Sequence, residues 1–334
     1  MTGAPRSRPD RPDVLVTGAA GFLGSHLTEA LLARGHRVTG IDCFPPYYDA
    51  ALKRSNLSQA LTHQAFRFVE MDLSTGDGAP YLPAGGWVFH QAAQPGVRAS
   101  WDAGFADYLG HNLLATQRLL EACRRVDLQS FVFASSSSVY GNIPEGEVSE
   151  DDPRRPMSPY GVTKVGGEEL MRVYHREFGV PTVSLRYFTV CGPRQRPDMA
   201  FHKILRALAT DTPFPLYGDG NQERDFTDVS DAVEANLLAA ERGERGAVYN
   251  VGGGHPVNVA HAISVLESAS GRKARLDRKP RAEGDPRRTA ANLSRARRDL
   301  GYDPKVPVDE ALRREAAWFL DPQGPLALAG KEPA

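Results

Sequence analysis

Val14-Leu-Val-Thr-Gly-Ala-Ala-Gly-Phe-Leu-Gly-Ser25 is the stretch whose reading decides the fold. Val14 to Thr17 is β-type sequence, and it runs into glycines at 18, 21 and 24. Leu23, Leu27, Ala30 and Leu31 then recur at helical spacing until Gly35 ends the helix. Strand, tight turn and helix in that order put free backbone N–H groups at a helix start, where a pyrophosphate binds. The glycines let the chain pass close to it. Gly18, Gly21, Phe22 and Leu23 are therefore expected to touch the cofactor. A second strand, Arg37 to Ile41, ends in Asp42. That carboxylate is placed to take both hydroxyls of an adenosine ribose and would repel a 2′-phosphate, which favours NAD over NADP. A glycine-rich turn in some other α/β protein is the plainer reading, and the position of Asp42 argues against it.

The bulk properties fit a soluble globular protein and exclude several other classes. A chain of 334 residues can bury a large core and is long enough for two lobes. Its 41% hydrophobic and 24% charged content is ordinary for a globular protein, and a net charge of −1 gives no general attraction to nucleic acid or membranes. Cys43, Cys123 and Cys191 show no metal-ligand spacing and cannot all pair, which fits a reducing cytoplasm and no metal site. Residues 1–12 lack the apolar core of a signal peptide, and no run approaches membrane-span length. Residues 1–11 and 322–334 read as disordered tails.

Further strands are expected at Phe66–Val69, Trp87–His90, Ser130–Ala134 and Val183–Phe188, with a helix over Asn112–Ala122. Asp72 and Leu73 follow the third strand, where the carboxylate can accept from an adenine amino group; a solvated turn is the alternative. Ala92 and Ala93 are small enough to let a cofactor lie on the fourth strand end, and Gln94-Pro-Gly-Val-Arg98 is a loop at the sheet's carboxyl edge. The fifth strand runs into Ser135-Ser-Ser-Ser138, which alone is either a polar turn or a site. The next helix opens with Pro159-Tyr160-Gly-Val-Thr-Lys164. Tyr160 and Lys164, at i and i+4, share one helix face with Cβ atoms about 5–6 Å apart. A tyrosine of pKa about 10 needs help to act as a base. A neighbouring ammonium and a positive nicotinamide ring both favour its phenolate.

The Gly18/Gly21/Gly24 turn, Asp42, Asp72-Leu73, Ser136, Tyr160 and Lys164 together resemble an extended short-chain dehydrogenase/reductase. Within that family the chain is most similar to nucleotide-sugar 4-epimerases of the UDP-glucuronate type. That closer likeness rests on Leu185-Arg-Tyr-Phe-Thr-Val-Cys-Gly-Pro-Arg-Gln-Arg-Pro-Asp-Met199, on Gln94–Arg98 and on Tyr217-Gly-Asp-Gly-Asn-Gln-Glu-Arg-Asp-Phe226. It implies an α/β fold, a Rossmann-type doubly wound parallel sheet with a smaller C-terminal α/β substrate lobe. Residues 12–188 and 227–255 would form the NAD-binding domain. Residues 189–226 and 256–321 would form the nucleotide-sugar lobe, with the segment after Leu293 included.

The resemblance also implies roles. Tyr160 as phenolate takes the C4 hydroxyl proton, Ser136 hydrogen-bonds the C4 oxygen, and Lys164 holds the nicotinamide ribose; Tyr160 and Lys164 thus also contact cofactor. Tyr217 packs on the uridine, while Arg224 and Arg287 neutralise the diphosphate. Gln94, Val97 and Arg98 line the substrate site. Arg196 grips the C6 carboxylate, with Thr189 and Ser136, Ser137 and Ser138 adding hydrogen bonds. NAD is reduced and reoxidised within one turnover and stays bound. Related decarboxylases and dehydratases usually carry an acidic residue just after the position of Ser136; Ser137 and Ser138 stand here, which favours epimerase. The alternatives are a UDP-glucuronate decarboxylase, a 4-epimerase of neutral UDP-hexoses, a dehydrogenase with net turnover, and a non-catalytic NAD-binding sensor. Cys191 stands where relatives commonly have tyrosine, and it reads as packing. A homodimer through the Asn112–Ala122 and Tyr160 helices is also implied.

Overall fold

The computed structural model describes residues 11–142, 146–281 and 284–329. Its centre is a seven-stranded sheet. In chain order the strands are β1 (Val14–Thr17), β2 (Val38–Asp42), β3 (Phe66–Glu70), β4 (Trp87–His90), β5 (Ser130–Ser136) and β6 (Thr182–Tyr187). Then come β7 (Thr189–Cys191), β8 (Phe214–Tyr217), β9 (Glu223–Arg224), β10 (Phe226–Asp228) and β11 (Val248–Val251). The sheet order is β11-β6-β5-β4-β1-β2-β3, and every pairing in it is parallel. The chain winds one way from β1 to β3 and the other way from β4 onward. The switch between β1 and β4 opens a crevice at the strands' carboxyl ends.

Alternation along each strand feeds two cores. Val14, Val16, Phe89 and Val132 point to one face, where they pack with Leu27, Leu31, Leu237 and Leu238. Leu15, Val88, Phe131 and Phe133 point to the other, against Leu119, Leu120, Met171 and Tyr174. A third apolar cluster, including Phe201, Leu205, Phe214, Leu266, Leu312 and Phe319, forms the smaller lobe. There β8 pairs in parallel with a strand at Leu276–Lys279 that lies beyond the expected elements.

The structure corrects the expected plan in three places. The first concerns the residues just after Leu293, expected in the small lobe. Leu293, Ala296, Leu300 and Tyr302 instead pack in the first core of the main sheet, whereas the helix Val308–Leu320, with Val306 and Leu326 on either side, joins the small lobe. The helix expected over Asn112–Ala122 starts earlier. Phe105–Tyr108 is α-helical, Leu109–Leu114 forms a π-helical turn, and Ala115–Cys123 returns to α. The apolar period over 105–114 is broken because Tyr108 is buried toward the crevice while Leu109 and Leu114 face outward. In the expected C-terminal tail, Pro325–Ala329 forms a short helix. Residues 1–10 and 330–334 of the two tails lie outside the described residues.

Candidate active site

The opening turn is built for close approach. Gly18 has φ +70, and a Cβ there would lie 2.7 Å from the Ala92 nitrogen. A Cβ at Gly24 would lie 2.0 Å from the Gly18 oxygen, so the helix Phe22–Ala33 seats tightly on the turn only because that position is glycine. At the end of β2 the Asp42 carboxylate is buried, accepting from the Ala20 N–H and from Lys53 Nζ, both at 2.8 Å. The cradle and the acidic strand end fit an NAD pyrophosphate and adenosine ribose.

A cleft of about 790 Å³ runs from this turn along the strand ends to the small lobe. It is lined by Gly18, Gly21, Phe22, Leu23, Asp42, Asp72, Leu73, Ala92 and Ala93 at one end, and by Gln94, Val97 and Arg98 further on. Ser136, Ser137, Ser138, Tyr160, Lys164, Thr189, Arg196, Tyr217 and Arg224 line the remainder. The fold thus brings together the expected residues from every segment, with one exception. Arg287 is not among the lining residues; its guanidinium is half exposed and pairs with Asp219 at 2.9 Å. Arg224 does line the cleft, anchored to Asp285 at 2.6 Å. Tyr217 presents one face to the Arg98 guanidinium, 4.1 Å from the ring centre, so a base can stack only on the other.

β5 runs two residues further than expected, so Ser135 and Ser136 belong to the strand and Ser137–Val139 turns off it. Ser158 caps the helix Pro159–Phe178, accepting from Gly161 N–H at 3.1 Å, and so sets Tyr160 in its first turn facing the serines. Lys164 is buried, and its Nζ donates to the Ala134 carbonyl at 2.7 Å. Burial pulls the Lys164 pKa down to about 7, against the opposing pull of Glu168. The Tyr160 pKa is raised, by burial first; the Ser136 hydroxyl and Arg196 pull the other way. Lys164 Nζ lies 5.8 Å from the centre of the Tyr160 ring, and its lowered pKa weakens the help its charge can give the phenolate.

Several residues that shape the site escaped the sequence reading. Asn112, on the π-helical turn, accepts from Gln94 N–H at 2.7 Å and donates to Gln94 O at 3.1 Å and Thr163 Oγ1 at 3.0 Å. It ties the Gln94–Arg98 loop to the Tyr160 helix. An asparagine among leucines was the available signal. Asp198 takes Arg196 Nε and Nη2 at 3.0 and 3.1 Å. Cys191 is fully buried and its thiol pKa lies well above the usual value because of that burial, so it packs as expected. Cys43, Asp72 and His111 bring ligand-type atoms within 4.8 Å of one another near the adenosine end. Burial, reinforced by the neighbouring Asp42 and Asp72, pushes the Cys43 thiol up to about 11.

A doubly wound sheet, a glycine cradle with an acidic second strand, and Ser136, Tyr160 and Lys164 in one cleft define a nicotinamide-dependent enzyme of the short-chain dehydrogenase/reductase type. The chain belongs to the NAD dependent epimerase/dehydratase family, which matches residues 14–252. Among curated relatives, the Bacillus subtilis protein named Uncharacterized UDP-glucose epimerase YtcB is 47% identical over 92% of this chain and 97% of its own. UDP-glucuronate 4-epimerase of Thermodesulfobacterium geofontis is 32% identical over 91% of this chain and 95% of its own. Among solved structures, UDP-glucuronic acid 4-epimerase from Bacillus cereus, in complex with UDP-glucuronic acid and NAD, superposes with a TM-score of 0.89. It is 43% identical, covering 92% of this chain and 98% of that one.

Proposed function

We propose that this protein is an NAD-dependent UDP-glucuronate 4-epimerase, an isomerase that interconverts UDP-glucuronate and UDP-galacturonate. The observation that carries this reading is Arg196, a permanent cation in the same cleft as Ser136 and Tyr160 and close enough to lower the Tyr160 pKa. A guanidinium there suits a sugar carboxylate. Ser137 and Ser138 stand directly after Ser136, where related decarboxylases and dehydratases usually carry an acid, which supports epimerisation over elimination or decarboxylation. The names of the Thermodesulfobacterium and Bacillus cereus proteins support the same substrate.

Gly18, Gly21, Phe22, Leu23 and Asp42 would hold NAD, which when bound would supply a reversible hydride acceptor for C4 of the sugar. The protein's own groups move the proton: Tyr160 takes it from the C4 hydroxyl, and Ser136 hydrogen-bonds the same oxygen. Burial raises the Tyr160 pKa, Ser136 and Arg196 pull it back, and a positive nicotinamide ring bound in the cleft would further favour the phenolate. Lys164 keeps a donor at the Ala134 carbonyl and offers its remaining N–H groups to the ribose. Arg224 and Tyr217 hold the diphosphate and uridine end. Exposed Leu109, Leu114, Val162 and Val173 on the two adjacent helices support a homodimer through that face. Three free cysteines support a cytoplasmic location; among the described residues no helix is long and apolar enough to cross a membrane.

A second reading, 4-epimerisation of a neutral UDP-hexose, has one observation in its favour: Arg196 is already paired with Asp198. Incubation of the purified protein with UDP-glucuronate, and separately with UDP-glucose, decides. UDP-galacturonate without net NADH and without added NAD is the expected product. UDP-xylose, or epimerisation of UDP-glucose alone, would overturn the assignment.

A further inference from the structure

Three distant segments meet at the Asp198 carboxylate. From its own loop, Arg196 donates through Nε to Oδ1 at 3.0 Å and through Nη2 to Oδ2 at 3.1 Å. From the loop that follows Asp42, the Tyr47 hydroxyl donates to Oδ2 at 3.2 Å. The third segment is the Gln94–Arg98 loop, where Gly96 has φ +100. A Cβ at Gly96 would stand 2.6 Å from the Tyr47 hydroxyl and 3.8 Å from Asp198 Oδ2. The backbone there is bare because the tyrosine–aspartate contact occupies the space. Tyr108 fixes this loop by donating to the Pro95 and Gly96 carbonyls at 2.7 Å, and its ring meets Tyr160 edge-on at 6.2 Å.

We propose that Tyr47 and Asp198 are positioning residues that aim the Arg196 guanidinium and thereby set the preference for an acidic over a neutral sugar. This rests on the carboxylate role assigned to Arg196 above. An arginine side chain has many rotamers, and a clamp that must first be ordered by its ligand loses binding free energy to that ordering. Asp198 removes the freedom in advance. It grips one edge of the planar fork, Nε and Nη2, and leaves the Nη1 edge for a ligand. Arg196 in turn holds the Asp198 carboxyl below its ordinary range, against the opposing effect of burial, so the grip is ionic at neutral pH. Tyr47 adds a second donor to Asp198 Oδ2, the oxygen that also takes Arg196 Nη2. Because Tyr47 lies in the loop that begins at the ribose-binding Asp42, the aim of the clamp is tied to the cofactor segment. A carboxylate beside the clamp also tempers its net positive charge, so the arrangement favours direction over raw attraction for anions.

Tyr47→Phe deletes one hydroxyl and keeps the ring. It should lower kcat/KM for UDP-glucuronate by roughly fivefold, as expected for one lost hydrogen bond, acting mainly through KM. Turnover of UDP-glucose and the bound NAD content should stay at wild-type levels. Asp198→Asn should lower the acid-to-neutral ratio further. It should also move the rising limb of kcat, set by the Tyr160 ionisation, to lower pH, because a negative charge near Tyr160 has been removed. Wild-type acid preference retained by both variants overturns the positioning role while leaving the epimerase assignment intact. A wild-type protein with no preference for the acid sugar overturns both together.

Discussion

Glu168 and Arg186 form a two-pronged ion pair beneath the helix that carries Tyr160 and Lys164. Arg186 Nε and Nη2 each donate to one Glu168 oxygen at 2.8 Å, and the side chains are 4% and 2% exposed. Ser135, next to Ser136 on β5, donates to Glu168 Oε1 at 2.5 Å. Arg186 also donates to the Tyr140 hydroxyl at 2.7 Å and the Glu150 carbonyl at 3.1 Å. One carboxylate, a helical turn beyond Lys164, thus fastens the catalytic helix to two strands. Glu168→Ala should destabilise the fold by about 3–5 kcal/mol, since it leaves Arg186 buried without its counter-charge. Urea unfolding measures this, and a loss below about 1 kcal/mol would remove the pair from that role.

Tyr160 yields a pH prediction. Its pKa is raised by burial and pulled back by Ser136, so activity should rise as pH increases through the Tyr160 ionisation. Ser136→Ala removes a lowering influence and should shift that limb to higher pH, whereas Tyr160→Phe should cost about 10²–10⁴-fold in kcat with NAD still bound. An unshifted limb in Ser136→Ala would mean that the serine does not share the proton.

Arg196→Ala should weaken UDP-glucuronate use by about 1.5–3 kcal/mol for the lost charged contact alone. The structure adds a second penalty, because Asp198 then faces the substrate carboxylate without its partner. Loss of carbon dioxide from a 4-keto uronate is fastest with the C5–C6 bond perpendicular to the carbonyl plane. A forked contact can hold the carboxylate away from that alignment and stabilise it as an anion. The variant should therefore release more decarboxylated 4-keto pentose. Product analysis beside a UDP-glucose control measures both effects, and unchanged selectivity with unchanged by-product would dismiss Arg196 as the clamp.

Val162 and Val173 lie eleven residues apart, three helical turns, and share an exposed stripe beside Leu109 and Leu114. If that stripe is the homodimer face, Leu114→Asp should turn a sedimenting dimer into a monomer that still retains NAD. A wild-type protein that sediments as a monomer at micromolar concentration would end this proposal.

The sheet was legible because its strands are short runs of β-branched and aromatic residues that end in chemistry-bearing residues: glycine at 18, Asp42 and the serines. Tyr160 and Lys164 were legible by helical spacing, but their electrostatics were not. Sequence gives proximity, whereas the lowered Lys164 pKa comes from burial that only the packed fold creates. Arg287 illustrates the converse. A motif places an arginine near the nucleotide, and a neighbouring Asp219 captures it at the surface. Asn112 and Asp198 went unread because their partners lie in loops whose approach no local period encodes.

Glu315 provides a final test, on the helix Val308–Leu320 and away from the chemistry. It is fully buried; its Oε2 accepts from the Gly192 N–H at 2.8 Å, while its Oε1 has no partner among the described residues. Burial, reinforced by the nearby Asp228, raises its pKa well above the ordinary value and so favours the neutral carboxyl in the folded protein. In the unfolded chain the same group ionises near pH 4.3. Its protonation therefore favours folding fully below that pH, and the contribution is lost as pH rises toward the folded-state pKa. Glu315→Gln keeps an acceptor for Gly192 and cannot ionise. Its thermal stability relative to wild type should improve steadily from pH 5 to pH 8, while Glu315→Ala, which loses the Gly192 contact and opens a cavity, should be less stable at pH 5. Parallel melting curves for wild type and Glu315→Gln across that range would show that Glu315 ionises freely in the native state, against the burial seen here.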